Sequence, residues 1–247
     1  FAVNEVADTH RTANPELILE NFMRFGMMPN VHQLANEAEK INYLYEYVNT
    51  YLSKDILSFA DIRKPKKVID LLNLLALQIS GEISIPELAQ SLALSQITVN
   101  KYLDVLEKMF VIVNLRGFSR NLRKEISKTS KYFFIDVGIR NALIRNFNSL
   151  SMRSDFGELF ENFFILEKIK KSVFQNKPAN FYFWRTYDQK EIDLIEDRDG
   201  KLIGYECKWK DKTVKSPEEW LETYTNSSFE VVRKDNYMEY LQTDIDS

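Results

Sequence analysis

The sequence contains little of the chemistry that builds disulfides or zinc sites. Its 247 residues include one cysteine, Cys207, and two histidines, His10 and His32. One thiol cannot form an internal disulfide, which agrees with a reducing compartment. Three such residues, spread along the chain, are too few ligands for structural zinc. The sequence therefore excludes a fold held together by disulfides or by zinc.

Long apolar runs are also absent. No uninterrupted apolar segment approaches the roughly 18 to 20 residues that span a bilayer, and the N-terminus lacks the charged-then-apolar order of a secretory signal. We therefore expect a cytoplasmic protein without a membrane partner. The first residue is Phe1 rather than methionine, which suggests that the chain is part of a longer protein.

The composition is that of an ordinary globular protein, with 45% hydrophobic and 28% charged residues. The length exceeds the usual domain size of about 100 to 150 residues, which favours two modules. A net charge of −3 argues against a globally basic nucleic-acid binder. One segment nevertheless sets six basic residues against the single acid Glu125. These six are Arg116, Arg120, Arg123, Lys124, Lys128 and Lys131.

Helical signals dominate the first part of the chain. Asn14 followed by Pro15 predicts a helix start and Gly26 its end, so that residues 15–25 form one helix. Apolar residues at helical spacing predict a second helix over residues 37–56. Three further helices are predicted in quick succession, over residues 68–80, 84–92 and 95–110.

The last two of these helices have the layout of a helix-turn-helix. Ser84-x-x-Glu87 is a capping box, and a three-residue turn, residues 93–95, separates the two helices. Two β-rich runs follow, at residues 111–115 and 131–135, and the basic segment loops between them where a wing would be. Such units also occur as plain packing modules, so DNA contact is one of two interpretations. The plausible base-reading side chains are Gln96, Thr98, Asn100 and Lys101.

A polar stretch, residues 146–155, is the expected boundary between modules. After it, residues 157–171 are apolar on most sides, which is typical of a buried helix. Three strands are then predicted, over residues 180–186, 190–196 and 201–210, and the turn at residues 197–200 joins the last two. The second module is therefore predicted to have an α-β-β-β core.

Alternation along the last of these strands separates charged from apolar side chains. Glu206 and Lys208 project from the polar face, while Cys207 points into the core. If the turn pairs Glu196 with Lys201, Asp193 lies diagonal to Glu206, opposite Gly204, with Cβ atoms within about 7 to 8 Å. A shift by one residue would place the two carboxylates on opposite faces.

Two converging carboxylates, Asp193 and Glu206, suit Mg²⁺ or Mn²⁺. Lys208 beside them could orient or help deprotonate a water on the metal and offset charge on a phosphate, which suits phosphodiester hydrolysis. Glu161 is a carboxylate in an otherwise apolar helix, and a metal site would give its charge a partner. Arg185 could contact a substrate phosphate. The competing interpretation is a solvated hairpin face without chemistry.

Several blocks of sequence occur in the order found in one known family. They are FSRNLRKE from Phe118, FIDVGIRNAL from Phe134, Gly157 with Glu161-Asn162, YFWRT from Tyr182, Glu191-Ile192-Asp193 and Glu206-Cys207-Lys208. From about Leu17 onward, the chain resembles the uncharacterised region that follows the P-loop module in a large prokaryotic AAA+-type ATPase family. The C-terminal part of that region is similar to PD-(D/E)xK nucleases.

The resemblance implies an α+β fold in three parts. Residues 1–62 would form a helical lead-in, 63–147 a winged helix-turn-helix, and 148–247 a restriction-endonuclease-like α/β domain. In PD-(D/E)xK nucleases, an acidic residue on the first helix, an Asp and a Glu-x-Lys form the metal site. By resemblance, these positions are Glu161, Asp193, Glu206 and Lys208.

The implied function is that of a DNA-binding, Mg²⁺-dependent nuclease-like effector of the ATPase. The alternative is an inactive module that binds DNA or a partner, because relatives of this fold often keep the scaffold after losing the chemistry. The basic wing could equally be a solvated loop or a surface that docks on the ATPase module. Phosphate contacts come mainly from Arg and Lys. The expected nucleic-acid contacts are Lys101, Arg116, Arg120, Arg123, Lys124 and Arg185.

The chain has no G-x-x-x-x-G-K-[ST] sequence. Its one Gly-Lys pair, Gly200-Lys201, has Ile195 where the first glycine would stand and Leu202 after it. No nucleotide site is expected here, so that ATP hydrolysis would belong to an N-terminal module of the full-length protein. Homo-oligomerisation is left open by the sequence.

Overall fold

The computed structural model describes residues 15–58, 62, 64–118, 130–186, 190–210 and 214–242. The described chain combines α-helices with mixed β-structure, as an α+β protein does. It divides into two compact units. The first contains residues up to 114 together with 131–154, and the second contains residues 115–118, 130 and those from 155 onward.

The first unit opens with helices. Their bounds are α1 Pro15–Phe25, α2 Pro29–His32, α3 Glu37–Glu46, a π-helical segment Tyr47–Leu52, and α4 Ser53–Ser58. The predicted helix over residues 15–25 is confirmed, whereas its predicted cap, Asn14, lies outside the described residues. None of the described helices is long and apolar enough to cross a membrane.

The π-helical segment follows from the spacing of buried residues. Leu44, Val48, Leu52 and Ile56 are all buried and recur every fourth residue. In an ideal helix of 3.6 residues per turn, this spacing drifts around the axis, and a wider turn keeps the side chains on one face. The predicted helix over residues 37–56 is therefore present, but the π-helical segment interrupts it.

The rest of the first unit alternates helices with short strands. The elements are α5 Pro65–Leu77, β1 Glu82–Ile83, α6 Ile85–Leu92, α7 Gln96–Lys108, β2 Ile112–Gly117, β3 Ser130–Phe134, α8 Val137–Leu143 and a 3₁₀ turn Leu150–Met152. The end of β2, from Leu115, and the first residue of β3, Ser130, belong to the second unit. The strand order is β1-β3-β2. Both predicted caps are confirmed, because the Ser84 and Ser95 side chains accept hydrogen bonds from the Glu87 and Thr98 backbone N–H groups.

A buried carboxylate, Asp136, ties the end of α1 to the start of α8. Its oxygens accept hydrogen bonds from the backbone N–H groups of Met27 at 2.6 Å and Gly138 at 2.8 Å. Gly26 has a φ of +76°, and a Cβ there would overlap the Asp136 carboxylate. Asn141 adds hydrogen bonds of 2.9 Å to the carbonyls of Met23 and Arg24. The block from Phe134 to Leu143 therefore has a structural role in the first unit.

The second unit consists of a long helix, a mixed sheet and two short helices. The elements are α9 Phe156–Phe174, β4 Asn180–Arg185, β5 Glu191–Arg198, β6 Lys201–Lys208, α10 Glu218–Thr223, β7 Ser227–Arg233 and α11 Tyr237–Leu241. Strands β4, β5 and β6 are antiparallel neighbours, and β7 pairs parallel to β6. The last residues of β2, Arg116 and Gly117, pair parallel to β4. The predicted α-β-β-β order is confirmed.

Two sets of aromatic contacts pack this sheet. The first is a cluster around Trp220 of α10, which is fully buried and packs against Trp184 and Phe118. In the second, Phe164 of α9 contacts Tyr205 with ring centroids 5.7 Å apart. Burial of such side chains supplies most of the stabilising free energy of a unit like this.

Candidate functional site

The hairpin of β5 and β6 carries most of the predicted site residues, and its register differs from the expected one. Arg198 pairs with Lys201, and the turn consists of Asp199 and Gly200 alone. Both turn residues have positive φ angles, +52° and +77°, as two-residue hairpin turns with Asp-Gly prefer. The predicted four-residue turn is therefore wrong, and the pairing shifts by two residues.

This register changes which residue of β6 lies opposite Asp193. Ile195 takes the place opposite Gly204 that was predicted for Asp193, and Leu194 pairs with Tyr205. Continuing the antiparallel register brings Asp193 level with Glu206 rather than diagonal to it.

An irregularity in β5 affects the same residue. On the β4 side, Tyr182 pairs with Ile195 but Trp184 pairs with Ile192, so β5 contains one residue more than β4 between these pairs. A bulge of this kind interrupts the alternation of side chains and re-aims one of them. Alternation alone therefore could not place the Asp193 side chain.

The Asp193 carboxylate is held against β6. It is 9% exposed, and its Oδ2 accepts a hydrogen bond of 2.8 Å from the backbone N–H of Cys207. The neighbouring residues Glu206 and Lys208 form an ion pair with 2.5 Å between Oε1 and Nζ. The structure therefore places Asp193, Glu206 and Lys208 around the same short stretch of β6.

Cys207 lies at the centre of these charges. Its thiol is buried, as predicted. Burial raises the pKa of the Cys207 thiol well above its ordinary value, and the negative charges of Asp193, Glu161 and Glu206 raise it further. Because all three carboxylates act on one sulfur, Glu161 on α9 belongs to the same electrostatic neighbourhood as the hairpin residues.

Lys208 is a cation in this setting. Burial opposes its charge, but the hydrogen bond and charge of Glu206 and the charge of Asp193 outweigh that effect and raise the pKa of Lys208. A lysine with a raised pKa stays protonated at neutral pH. Its side chain can therefore neutralise negative charge, but it is a poor proton acceptor.

Asp193 and Glu206 are the carboxylates of the hairpin that could contribute oxygen ligands to a metal ion. Within the described ranges, no group of three or more His, Cys, Asp or Glu side chains is placed to hold a metal ion. Oε2 of Glu206 is buried and accepts no hydrogen bond from the described residues. Two carboxylates completed by water suit Mg²⁺, which commonly binds through one or two carboxylates.

The predicted nucleic-acid contacts fall into three groups. Lys101 on α7 and Arg116 on β2 are exposed. Arg185, at the end of β4, is half-buried and lies 3.9 Å from the carboxylate of Glu191. The remaining three, Arg120, Arg123 and Lys124, lie outside the described residues.

Some polar side chains on α7 and β3, the helix and strand beside the predicted wing, are less available for contact with DNA than the sequence predicted. Gln96 and Asn100 on α7 are exposed, but the Thr98 hydroxyl lies 2.8 Å from that of Ser95, within the helix cap. Lys131 ends the basic segment and lies on β3, in agreement with the predicted β-rich run at residues 131–135, but it is only 4% exposed. Its long aliphatic stem permits this burial, which sequence spacing does not reveal.

Sequence reasoning missed a buried polar network further along the same hairpin. Glu196 accepts from Lys168 of α9 at 2.8 Å and from Arg198 at 2.6 Å. The Tyr205 hydroxyl donates to Glu196 at 3.1 Å and accepts from Lys168 at 3.0 Å. The detectable signal was Lys168 on the largely apolar face of α9, since a lysine there requires a charged partner.

Two family models match the chain, and neither description names an activity. The chain belongs to a family described as a domain of unknown function (DUF8612), which matches residues 16–150. A second domain of unknown function (DUF4143) matches residues 156–244.

Two relatives that match the chain are both described as uncharacterized proteins. The uncharacterized protein Rv2008c of Mycobacterium tuberculosis is 26% identical over 190 residues, which cover 76% of this chain and 42% of that protein. The uncharacterized protein MJ1544 of Methanocaldococcus jannaschii is 25% identical over 255 residues, which cover 96% of this chain and 56% of that protein. The chain thus spans about half the length of these relatives. No solved structure matches it.

Proposed function

We propose that this chain is a DNA-binding, metal-dependent nuclease-like effector part of an AAA+-type ATPase. The observation that carries the proposal is the arrangement around Cys207. Asp193 accepts a hydrogen bond from the backbone N–H of Cys207, and Glu206 and Lys208, which flank Cys207 on β6, form an ion pair. Concentrated acidic charge beside a lysine is costly unless it serves a ligand, which is typical of functional sites.

Asp193 and Glu206 are the residues that would hold Mg²⁺ or Mn²⁺. A divalent ion there would supply Lewis-acid stabilisation of a phosphodiester during hydrolysis. Lys208 contributes positive charge that offsets the negative charge developing on the phosphate. The backbone hydrogen bond from Cys207 fixes the Asp193 carboxylate beforehand.

The order of elements supports the two domain types in this proposal. In the first unit, three helices with a short strand between the first two are followed by two strands in the order β1-β3-β2, as in a winged helix-turn-helix. In the second, a buried helix precedes three antiparallel strands, with the acidic residues on the hairpin, as in a nuclease-like domain. Exposed Lys101 and Arg116 are suited to phosphate contacts.

Two facts support the link to an ATPase. They are the resemblance of the sequence blocks to the region that follows a P-loop module, and the length of the relatives. The relatives are about twice as long as the stretch they share with this chain. That leaves room in them for a P-loop module. In this proposal, ATP hydrolysis resides there, and the partners of this chain are DNA and that module.

One observation favours a second candidate, an inactive module that binds DNA or a partner. Both proposed metal ligands already have a structural use, because Asp193 accepts from Cys207 and Glu206 pairs with Lys208. These contacts would stabilise β6 whether or not the site binds a metal.

A cleavage assay on linear, supercoiled and single-stranded DNA with Mg²⁺ or Mn²⁺ separates the two candidates. Asp193→Asn keeps a hydrogen-bond acceptor for Cys207 but removes the charge, and Lys208→Ala removes the cation. We expect each to lower metal-dependent cutting about a hundredfold or more. Lys201→Ala, an exposed lysine of the same strand, is the matched control and should cut like the wild type. Cutting that is indifferent to both site variants would come from a contaminant and would favour the inactive module.

A further inference from the structure

A cavity of about 220 Å³ in the second unit is lined mainly by cationic and polar side chains. It lies where the last turns of α9 meet the hairpin of β5 and β6. The volume is below the roughly 300 to 1,000 Å³ of pockets for drug-sized ligands. Only a small group would fill it. The lining residues that bear on its chemistry are Lys168, Lys171, Lys177, Arg198, Glu196 and Ser172.

The charges of this lining are unbalanced. Four cations face a single carboxylate, Glu196. Both Glu196 oxygens are already engaged, Oε2 with Lys168 and Oε1 with Arg198. Burial raises the pKa of Glu196, but Lys168 and Arg198 outweigh that effect and lower it, so the carboxylate stays ionised. Its one negative charge leaves the cavity with a positive excess near Lys171 and Lys177.

The loop that carries Lys177 is held in place. The Lys177 carbonyl accepts hydrogen bonds from the Ser172 hydroxyl at 2.7 Å and from Arg198 at 2.9 Å. Its backbone N–H donates to the Ser172 carbonyl at 3.2 Å, and Asn176 before it takes a left-handed φ of +49°. The backbone around the cavity is therefore fixed before any ligand arrives, which lowers the entropic cost of binding.

The C-terminal end of α9 opposes an anion, because helix carbonyls carry partial negative charge there. Backbone N–H groups already satisfy part of this end, because the carbonyls of Lys171 and Ser172 accept hydrogen bonds from Gln175 and Lys177. The cationic side chains of the lining outnumber its one carboxylate.

We propose that this cavity binds a phosphoryl group. A compact, polar, cationic cavity matches the size and charge of phosphate, and charge-assisted hydrogen bonds from Lys and Arg are the usual means of holding it. The phosphate could belong to a nucleic-acid backbone or to a small phosphorylated compound. The site is separate from the acidic residues, since Lys168 follows Glu161 by two turns of α9, about 10 Å. It does not depend on metal binding or cleavage.

The test is a titration of the 247-residue chain with inorganic phosphate by calorimetry, and with a short single-stranded oligonucleotide at fixed ionic strength. Lys177→Gln removes one exposed cation of the lining and leaves the buried Glu196 network intact. Lys215→Gln, an exposed lysine of the same unit outside the cavity, is the matched control. We expect Lys177→Gln to weaken phosphate binding about tenfold and Lys215→Gln to leave it unchanged.

The oligonucleotide identifies the source of the phosphate. Parallel weakening of oligonucleotide binding by Lys177→Gln would assign the cavity to the nucleic-acid backbone. Weakened phosphate binding with unchanged oligonucleotide binding would assign it to a small phosphorylated ligand. The proposal is overturned if wild type does not bind phosphate, or if Lys177→Gln and Lys215→Gln bind it equally well. Asp193→Asn should bind phosphate like the wild type, which separates this outcome from failure of the nuclease proposal.

Discussion

At the scale of single residues, Gly26 and Asp136 show why the block from Phe134 to Leu143 is needed for the packing of the first unit. Asp136 serves two backbone stretches at once, the loop after α1 and the first turn of α8. Only glycine leaves room for its carboxylate beside position 26. The motif that helps to identify the family is thus explained by the structure of the first unit, without any chemical role.

We expect Gly26→Ala to destabilise the first unit by several kcal/mol, because the new methyl group overlaps the Asp136 carboxylate and the φ of +76° disfavours alanine. The matched control is Gly157→Ala, where a Cβ meets nothing within 4 Å and the helix should gain up to about 1 kcal/mol. All three tryptophans, at positions 184, 209 and 220, lie in the second unit. Tryptophan fluorescence therefore does not report the first unit directly, and amide hydrogen exchange in α1 and α8 is the suitable measurement. Equal protection in both variants would refute the steric argument.

The candidate site was predictable in part at this scale. Alternation along a strand correctly turned Cys207 inward and put Glu206 beside Lys208. It could not place Asp193, because the bulge in β5 depends on pairing between strands. The two-residue turn was readable from Asp199-Gly200 and was missed.

At the scale of elements, α9 is fixed to the hairpin by a buried ion pair as well as by aromatic contacts. Lys168 and Glu196 have side chains only 8% and 5% exposed. Neither could be buried alone, since an unpaired charge in the interior is costly. The helix caps and strand positions could be predicted from local sequence. The Lys168–Glu196 ion pair could not, because it joins residues 28 positions apart that only the fold brings together.

We expect Lys168→Met to destabilise the second unit by about 3 to 5 kcal/mol, because it leaves Glu196 short of a buried partner. Lys108→Met, at an exposed pair with Asp104, should change stability by less than about 1 kcal/mol. Urea unfolding followed by tryptophan fluorescence measures the stability of the second unit in Lys168→Met. Urea unfolding followed by circular dichroism measures the stability of the control, Lys108→Met. Similar small losses in both variants would contradict a structural role for the buried pair.

The same network predicts a pH dependence. Burial raises the pKa of Glu196, but the opposing charges and hydrogen bonds of Lys168 and Arg198 lower it overall. The folded state then binds a proton at Glu196 less readily than the unfolded chain does. Its stabilising contribution is present above the ordinary glutamate pKa and is lost as pH falls through the lowered folded pKa. Urea unfolding across this acid range should show a smaller loss of stability in Glu196→Gln than in wild type; equal losses would exclude Glu196 as the titrating group.

At the scale of the whole molecule, charge is distributed unevenly over a chain with a net charge of −3. The basic segment between residues 116 and 131 is a better candidate for DNA contact than the total charge suggests, although the burial of Lys131 removes one of its six cations. Sequence patterns predicted the helix-turn-helix layout and the α-β-β-β order, but they did not predict α8, α10, β7 or α11. The division into two units required the contacts between distant segments.

Charge reversal at Arg120, Arg123 and Lys124 should weaken DNA binding and reduce its dependence on salt, because each lost phosphate contact removes one released counterion. The control is charge reversal at Lys67, a partly exposed lysine on α5 that pairs with Asp70. Fluorescence anisotropy with duplex DNA over a series of salt concentrations measures both quantities. If the affinity and the salt slope stay unchanged in the triple variant, this segment does not contact DNA.

The central claim is that the acidic residues around Cys207 form a divalent-cation site, and Mn²⁺ binding measured by electron paramagnetic resonance tests it most directly. Free Mn²⁺ gives a sharp signal that is lost on binding, so the measurement needs no substrate and no activity. We expect wild type to bind about one Mn²⁺ and Glu206→Gln to bind it at least about tenfold more weakly, because one of two carboxylate ligands is lost. Glu230→Gln, outside the site, should bind like the wild type. Absence of Mn²⁺ binding, or equal binding by Glu206→Gln, would contradict the account.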